Sequence, residues 1–301
     1  MLKKIVGVIP PMITPFDKNE AVDLQAHIHN VKQWNKSDLA GYLVLGSNSE
    51  AVYLNEKEKL ALIEKTAEHA TPGRIILAGT GMESTRETIH LTNEAAKAGA
   101  QAALIVTPFY FRAQMTAPAL IRHFETIADQ SRIPILLYNV AKYTGINLSP
   151  ATIGTLSEHP NIIGMKDSSG SIPQLIQYQS VAKDDFNILV GTASAWYPAL
   201  NLGVAAAIMA LANCAPAACV QVQDLFRKGQ SDEAEALYRQ LFPVNQAVTA
   251  TYGVAGLKYA CRQLGFKGGY VRSPLSPLRA TEKKAIDHIL SKAGLSLVTQ
   301  T

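Results

Sequence analysis

A (β/α)8 TIM barrel with a C-terminal helical extension is the fold the sequence predicts, and three observations predict it. From residue 5 to about 228, short β-rich apolar runs alternate with longer amphipathic ones, at a spacing of roughly 20–40 residues, the signature of repeated βα units. Most of the runs are continuously apolar, as strands covered on both faces should be. There are eight, and eight units in this length match a closed barrel, whereas an open doubly wound sheet usually stops near about five to seven strands.

Taken in order, the first run is Ile5–Pro10, broken by Pro10-Pro11, and the second is Gly41–Leu45. Asn55-x-x-Glu58 then fits a helix capping box. The third run, Arg74–Gly79, precedes a second box, Ser84-x-x-Glu87, whose helix meets Gly99 where a left-handed terminating residue belongs. Ala102–Val106 and Ile135–Asn139 are the fourth and fifth, and Ser149-Pro150 reads as an N-cap followed by the first helical position. Ile162–Lys166, Asn187–Val190 and Ala205–Ala210 complete the set. Beyond them Ser231–Ala250, Gly253–Leu264 and Thr281–Lys292 read as three further helices. No linker rich in Gly, Ser or Pro intervenes, so residues 1–228 are expected to form the barrel and 229–301 an extension packed on it, as one structural unit.

Composition excludes several classes of function. Of 301 residues 48% are hydrophobic and 17% charged, which excludes a disordered chain. Area scaling implies that about three quarters of the surface is buried on folding, so no staple is needed. The formal net charge of +4 is dispersed, with no basic patch, and Trp34 and Trp196 form no aromatic platform with basic neighbours; no nucleic-acid partner is expected. Cys214, Cys219 and Cys261 make an odd set without C-x-x-C, which reads as reduced core thiols and a cytoplasmic setting. The apolar run within Met1–Ile9 is too short for a signal peptide, and Gly203–Ala212, the longest apolar stretch, is half a membrane span. No membrane partner is expected.

Barrel active sites lie at the carboxyl ends of the strands. Here those ends carry Thr14, Gly46-Ser47-Asn48-Ser49-Glu50, Thr80-Gly81, Thr107-Pro108-Phe109-Tyr110, Tyr138-Asn139, Lys166-Asp167-Ser168, Gly191-Thr192 and Ile208. One lysine stands in this hydroxyl-rich set. Lys166 closes the run Ile162-Ile163-Gly164-Met165, which should aim its amine into the mouth. An amine desolvated enough to be partly neutral near pH 7 attacks ketones to form a Schiff base. Tyr138 ends the preceding strand, from where its phenol could shuttle protons. Ser47 and Asn48 stand where a strand gives way to a turn whose amides can hold a carboxylate. Read singly, each has an ordinary alternative: a solvated loop lysine, an amphipathic core tyrosine, a plain turn. Convergence of the three on one mouth favours a site. The seven histidines fall on helices or just before a strand, so no metal centre is expected. Neither G-x-G-x-x-G nor the P-loop pattern occurs, which removes the dinucleotide and P-loop readings.

Gly46-Ser-Asn-Ser-Glu50, Tyr138-Asn-Val140 with Thr144-Gly145, and Gly164-Met-Lys-Asp-Ser168 resemble three signature segments of the dihydrodipicolinate synthase / N-acetylneuraminate lyase family, along about residues 5–280. The resemblance implies a TIM barrel with C-terminal helices, usually a homotetramer built as a dimer of dimers, and class I aldolase chemistry on pyruvate without a cofactor. It makes Lys166 the Schiff-base lysine, Tyr138 the proton-relay tyrosine, and Ser47 and Asn48 the pair holding the pyruvate carboxylate. Tyr110 matches a tyrosine that many members insert into a neighbouring subunit's site, and Gly191 and Ile208 match positions lining the pyruvate pocket.

Departures bear on the second substrate. The synthases of the family usually read Y-N-V-P-x-R-T-G, with an arginine for the carboxylate of aspartate semialdehyde; here Ala141 replaces the proline and Tyr143 the arginine. Lys142 could substitute only as a point charge. Ser47-Asn48 stand where the synthases favour two threonines, and Ser49 replaces a glycine. The Ser-Asn pair, with His159–Asp167 and Pro243–Ala260 together with Gly268-Gly269, looks closer to the 4-hydroxy-2-oxoglutarate aldolase branch and shares features with 2-keto-3-deoxy sugar acid aldolases. The resemblance therefore implies a lyase cleaving a 4-hydroxy-2-oxo acid to pyruvate and an aldehyde. The alternatives are dihydrodipicolinate (4-hydroxy-tetrahydrodipicolinate) synthase, a 2-keto-3-deoxy sugar acid dehydratase, and a non-catalytic 2-oxo-acid sensor.

Overall fold

The computed structural model describes residues 4–298. Eight parallel strands, β1 Gly7–Ile9, β2 Gly41–Val44, β3 Ile75–Gly79, β4 Ala102–Val106, β5 Ile135–Asn139, β6 Ile162–Asp167, β7 Asn187–Val190 and β8 Ala206–Ile208, pair in the order β1-β8-β7-β6-β5-β4-β3-β2. The ring closes between β1 and β2. There Ala40 N donates to Val8 O (2.9 Å), Leu43 N to Pro10 O (3.0 Å) and Met12 N to Leu43 O (2.8 Å). Pro10 and Pro11 have no N–H to give, so the first strand ends at Ile9 and not at Pro10; it also begins at Gly7 and not at the predicted Ile5. The other strands match the predicted runs to within a residue or two, and Asp167 prolongs β6 past Lys166.

Among the described residues twelve α-helices connect and follow the strands: α1 Leu24–Trp34, α2 Glu56–His69, α3 Thr85–Lys97, α4 Ala117–Gln130, the short α5 Ala141–Thr144, α6 Pro150–Ser157, α7 Ile172–Val181, α8 Trp196–Asn201, α9 Pro216–Arg227, α10 Ser231–Gln246, α11 Gly253–Gln263 and α12 Ala280–Lys292. Local chemistry sets their starts. The Asn55–Glu58 box forms in both directions, at 2.9 Å each way. Of the predicted Ser84–Glu87 box only the serine half forms, Ser84 Oγ accepting from Glu87 N at 3.1 Å. Ser149 caps α6, with Pro150 at its first position, and Gly99 follows the end of α3 with φ 108°. The predicted helix over Ser231–Ala250 stops at Gln246, because the chain widens into a π-helical turn over Ala247–Thr251 before α11.

Apolar runs that look uniform in sequence are sorted by the pleat. Ile9, Leu43, Leu77, Leu104, Leu136, Tyr138, Leu189 and Ile208 meet inside the barrel. Their neighbours Ala103, Ile105, Ile135, Leu137 and Met165 face the surrounding helices with Phe124, Ile127, Ile153 and Leu156. Alternation along β6 therefore turns Lys166 inward once Met165 points outward. The seven histidines lie where expected, on helices or, for His159, just before β6. Among the described residues no group of three or more His, Cys, Asp or Glu side chains is arranged to hold a metal ion. Among the described residues no helix is long and apolar enough to cross a membrane.

Candidate active site

The site is assembled at the carboxyl ends of β2, β5, β6 and β7. Tyr138 and Lys166 are register partners on adjacent strands, both on the inward face. Lys166 is 3% exposed, and its Nζ lies 4.2 Å from the centroid of the Tyr138 ring. Burial by itself would raise the Tyr138 phenol; the Lys166 cation and hydrogen bonds with Ser47, Ser168 and Lys166 outweigh it, so the phenol ionises more easily than a free tyrosine. A lysine nitrogen, an acidified phenol and a serine hydroxyl are thus within a hydrogen-bonded group that can move a proton to or from a carbon or oxygen held beside Lys166.

Gly191 gives the lysine its room. A Cβ there would lie 3.0 Å from Lys166 Cε and would collide with Ser168 Oγ, while the Gly191 amide donates to Asp167 O at 2.6 Å. Ile208, fully buried at the end of β8, belongs to the same interior cluster as Tyr138. The strand ends are held from behind by the outward-facing residues. Asp167 accepts from Asn139 Nδ2 (2.7 Å), Ser169 Oγ (2.5 Å) and Gln174 Nε2 (3.1 Å), and Asn139 Oδ1 accepts from Leu148 N (3.0 Å). Asn139 and Asp167 thus tie β5 to β6 one residue beyond the Tyr138–Lys166 pair.

After β2, Ser47–Ser49 form one 3-10 turn between Gly46 and Glu50. Ser47 is exposed and Asn48 half-buried, whereas Ser49 and Glu50 are buried. Ser49 Oγ donates to Met12 O at 2.5 Å and accepts from Gly46 N at 3.0 Å, which pins the turn to the segment after β1. The amides of Ser47 and Asn48 open the turn and have no acceptor within it, and the Ser47 hydroxyl bonds the Tyr138 phenol.

The predicted residues are not all brought together. Tyr143, on α5, reaches the rim: burial raises its phenol and the neighbouring Tyr138 raises it further. Its ring is nonetheless 58% exposed, and Lys142 Nζ stands 5.7 Å from it. Tyr110 is not in the cluster; it is 77% exposed, edge-on to Phe111, on the loop after β4. The carboxylate of Glu83 holds that loop by accepting from Phe109 N (3.0 Å) and Tyr110 N (2.9 Å). Sequence reasoning passed over Glu83, Asn139 and Asp167 as supports, and over the buried Glu50 and Lys258. Lys258 had a signal, a lone cation in the apolar stretch Gly253–Cys261.

The dihydrodipicolinate synthetase family model matches residues 4–293. The chain is 34% identical to a 4-hydroxy-tetrahydrodipicolinate synthase of Methanothrix thermoacetophila over 95% of its length and 96% of the relative's. It is 35% identical to the synthase of the same name from Bartonella tribocorum, over 96% of its length and 98% of the relative's. A solved dihydrodipicolinate synthase of Acinetobacter baumannii in complex with pyruvate superposes with a TM-score of 0.91 at 29% identity, covering 97% of this chain and 100% of that one. The Thermotoga maritima dihydrodipicolinate synthase superposes equally well, TM-score 0.91 at 27% identity over 97% and 99%. The names of these relatives favour the synthase alternative over the aldolase branch that the Ser-Asn pair suggested, and they set aside the non-catalytic sensor. This protein belongs to the dihydrodipicolinate synthetase family, pyruvate-dependent enzymes that act through a lysine Schiff base.

Proposed function

We propose that Lys166 condenses with the ketone of pyruvate and that the resulting enamine adds to the aldehyde of aspartate semialdehyde, the 4-hydroxy-tetrahydrodipicolinate synthase reaction. The observation that carries this reading is the pairing of Lys166 with Tyr138 on the inward face of β5 and β6, with Ser47 on the same phenol. The amine adds to the carbonyl carbon and water leaves, giving the Schiff base. Loss of a methyl proton gives the enamine, whose carbon attacks the aldehyde carbon while the aldehyde oxygen takes up a proton; the amino group of the former semialdehyde then adds to the imine carbon and expels the Lys166 amine, closing the ring and freeing the enzyme. Tyr138 and Ser47 relay those protons, and Tyr110 completes the relay from a neighbouring chain in a homotetramer. Ser47 and Asn48 hold the pyruvate carboxylate, and Gly191 and Ile208 line the pocket around the methyl and ketone. The exposure of Tyr110, with Phe111 beside it, supports a role across a subunit boundary. Three buried free thiols support a cytoplasmic setting.

A second reading has an observation of its own. Tyr143 leaves the rim without the arginine that would clamp the semialdehyde carboxylate, which favours reversible cleavage of a 4-hydroxy-2-oxo acid such as 4-hydroxy-2-oxoglutarate, with Tyr143 lining the aldehyde end. Both readings share the first half of the reaction. Mass spectrometry after borohydride treatment should find a pyruvate-dependent reduced adduct on Lys166; folded protein without one overturns both. Consumption of pyruvate with aspartate semialdehyde, compared with pyruvate release from 4-hydroxy-2-oxoglutarate, then decides between them.

A further inference from the structure

Glu50 closes the turn that carries Ser47 and Asn48, and it does so in a conformation that residues with a Cβ avoid, φ 55° and ψ 35°. Its carboxylate is almost wholly out of water. One oxygen pairs with Lys258 Nζ of α11, and the other accepts from the Arg272 amide at 2.8 Å. Both side chains of the ion pair are 1% exposed. Lys258 also donates to Tyr270 O at 2.5 Å, and its ammonium lies 4.4 Å from the centroid of the Phe16 ring. The guanidinium of Arg272 lies over the same ring at 4.2 Å, donates to Tyr53 O (2.8 Å) and takes both oxygens of Glu58 (2.9 and 2.7 Å) at the start of α2. The segment from the turn to the next helix is therefore fastened twice, and both fasteners come from beyond residue 229.

As glue, such a pair is poor. A buried ion pair roughly breaks even against apolar side chains of the same volume. Burial also lowers the Lys258 ammonium to about 8, with Arg262 adding to that and Glu50 and Cys261 only partly opposing it. Apolar packing would fill the same space without fixing a left-handed residue, and direction is what the pair supplies. We propose that the Glu50–Lys258 ion pair, with the Arg272 amide, positions the Gly46–Glu50 turn to receive the pyruvate carboxylate, so that the C-terminal extension sets substrate affinity from behind the site. This positioning role rests on the pyruvate reading above.

Lys258→Met and Glu50→Gln remove the charge with little change of shape, and Leu290→Ala weakens the extension on α12 without touching the Glu50 cluster. Two quantities are read in each: hydrogen exchange of the amides of residues 46–50, and the pyruvate concentration that half-saturates borohydride trapping at Lys166. In Lys258→Met exchange should quicken by about tenfold or more and half-saturating pyruvate rise by about tenfold, while the trapping rate at saturation stays within about twofold. Glu50→Gln should move both readouts the same way by less, and Leu290→Ala should lower the melting temperature and move neither. A folded Lys258→Met variant with unchanged exchange and unchanged half-saturation makes the pair merely structural and overturns the proposal. So does Leu290→Ala weakening pyruvate as much as Lys258→Met. If Lys258→Met does not fold, Glu50→Gln is judged by the same two readouts. Failure of the parent to trap pyruvate overturns the function assigned to the turn, and exchange alone then decides whether the pair holds its shape.

Discussion

The turn after β2 and the loops after β4 and β5 rim the same barrel mouth, yet they are held in different ways. Ser49 and Glu50 are buried and bonded to Met12, Lys258 and Arg272, so the first is wired into the body of the protein from two directions. Phe109–Phe111 and Tyr143 are exposed, and the β4 loop is tied back by the Glu83 carboxylate. On the proposed reading the fixed side meets pyruvate and the open side meets the aldehyde. The difference teaches that the half of the reaction shared by all readings is built into the scaffold, while the half that separates them lies on side chains that can change without disturbing the core.

Four experiments break or sharpen that contrast. Lys166→Ala should abolish the trapped adduct and lower turnover by about three orders of magnitude or more; near-full turnover would end the Schiff-base account. Tyr138→Phe keeps the ring beneath the lysine and removes the relay, so adduct formation should slow by about 10²–10⁴ while pyruvate half-saturation changes little. On the open side, Tyr143→Arg should improve use of an aldehyde bearing a carboxylate by about 10- to 100-fold and leave pyruvate half-saturation alone. A matching shift in both substrates would erase the distinction between the two sides.

The mildest test concerns the supports beneath each side. His27 on α1 bonds Thr66 on α2 at 2.9 Å, and His123 on α4 bonds Thr85 at the start of α3 at 2.8 Å. Burial lowers both imidazoles to about 4, from 6.5 when unfolded. Because the folded values are the depressed ones, their contribution is complete above pH 6.5 and is lost as pH falls toward 4, by at most about 3 kcal/mol each. Melting temperature should drop over that window, and His27→Gln or His123→Gln should each flatten the drop; an unaltered acid limb in both variants would discharge the histidines from any part in it.

Much of this was legible in the sequence because it follows from local rules. Eight apolar runs, the Asn55 and Ser149 caps and Gly99 each depend on neighbours within a few residues, and strand alternation alone turns Lys166 and Tyr138 inward together. Other features depend on distant partners. The bonds that close the ring join residues 8–12 to residues 40–43. Lys258 meets Glu50 across 208 positions of chain, beyond the reach of any motif. Charged residues in apolar stretches were the trace it left. Tyr110 and Tyr143 were found as residues but not as surroundings, because exposed side chains owe their placement to whatever meets them.

The order of residues along the chain has a consequence for synthesis. All eight strands and Lys166 have left the ribosome once Arg227 has, but Lys258 and Arg272 follow some seconds later at about 5–20 residues per second. A chain released early would carry the proposed nucleophile and lack the ion pair on Glu50. On the proposed reading, competence then arrives only with the final stretch of translation, when Lys258 and Arg272 reach Glu50 and Leu241, Val244, Leu257 and Phe266 complete the core they share with the barrel.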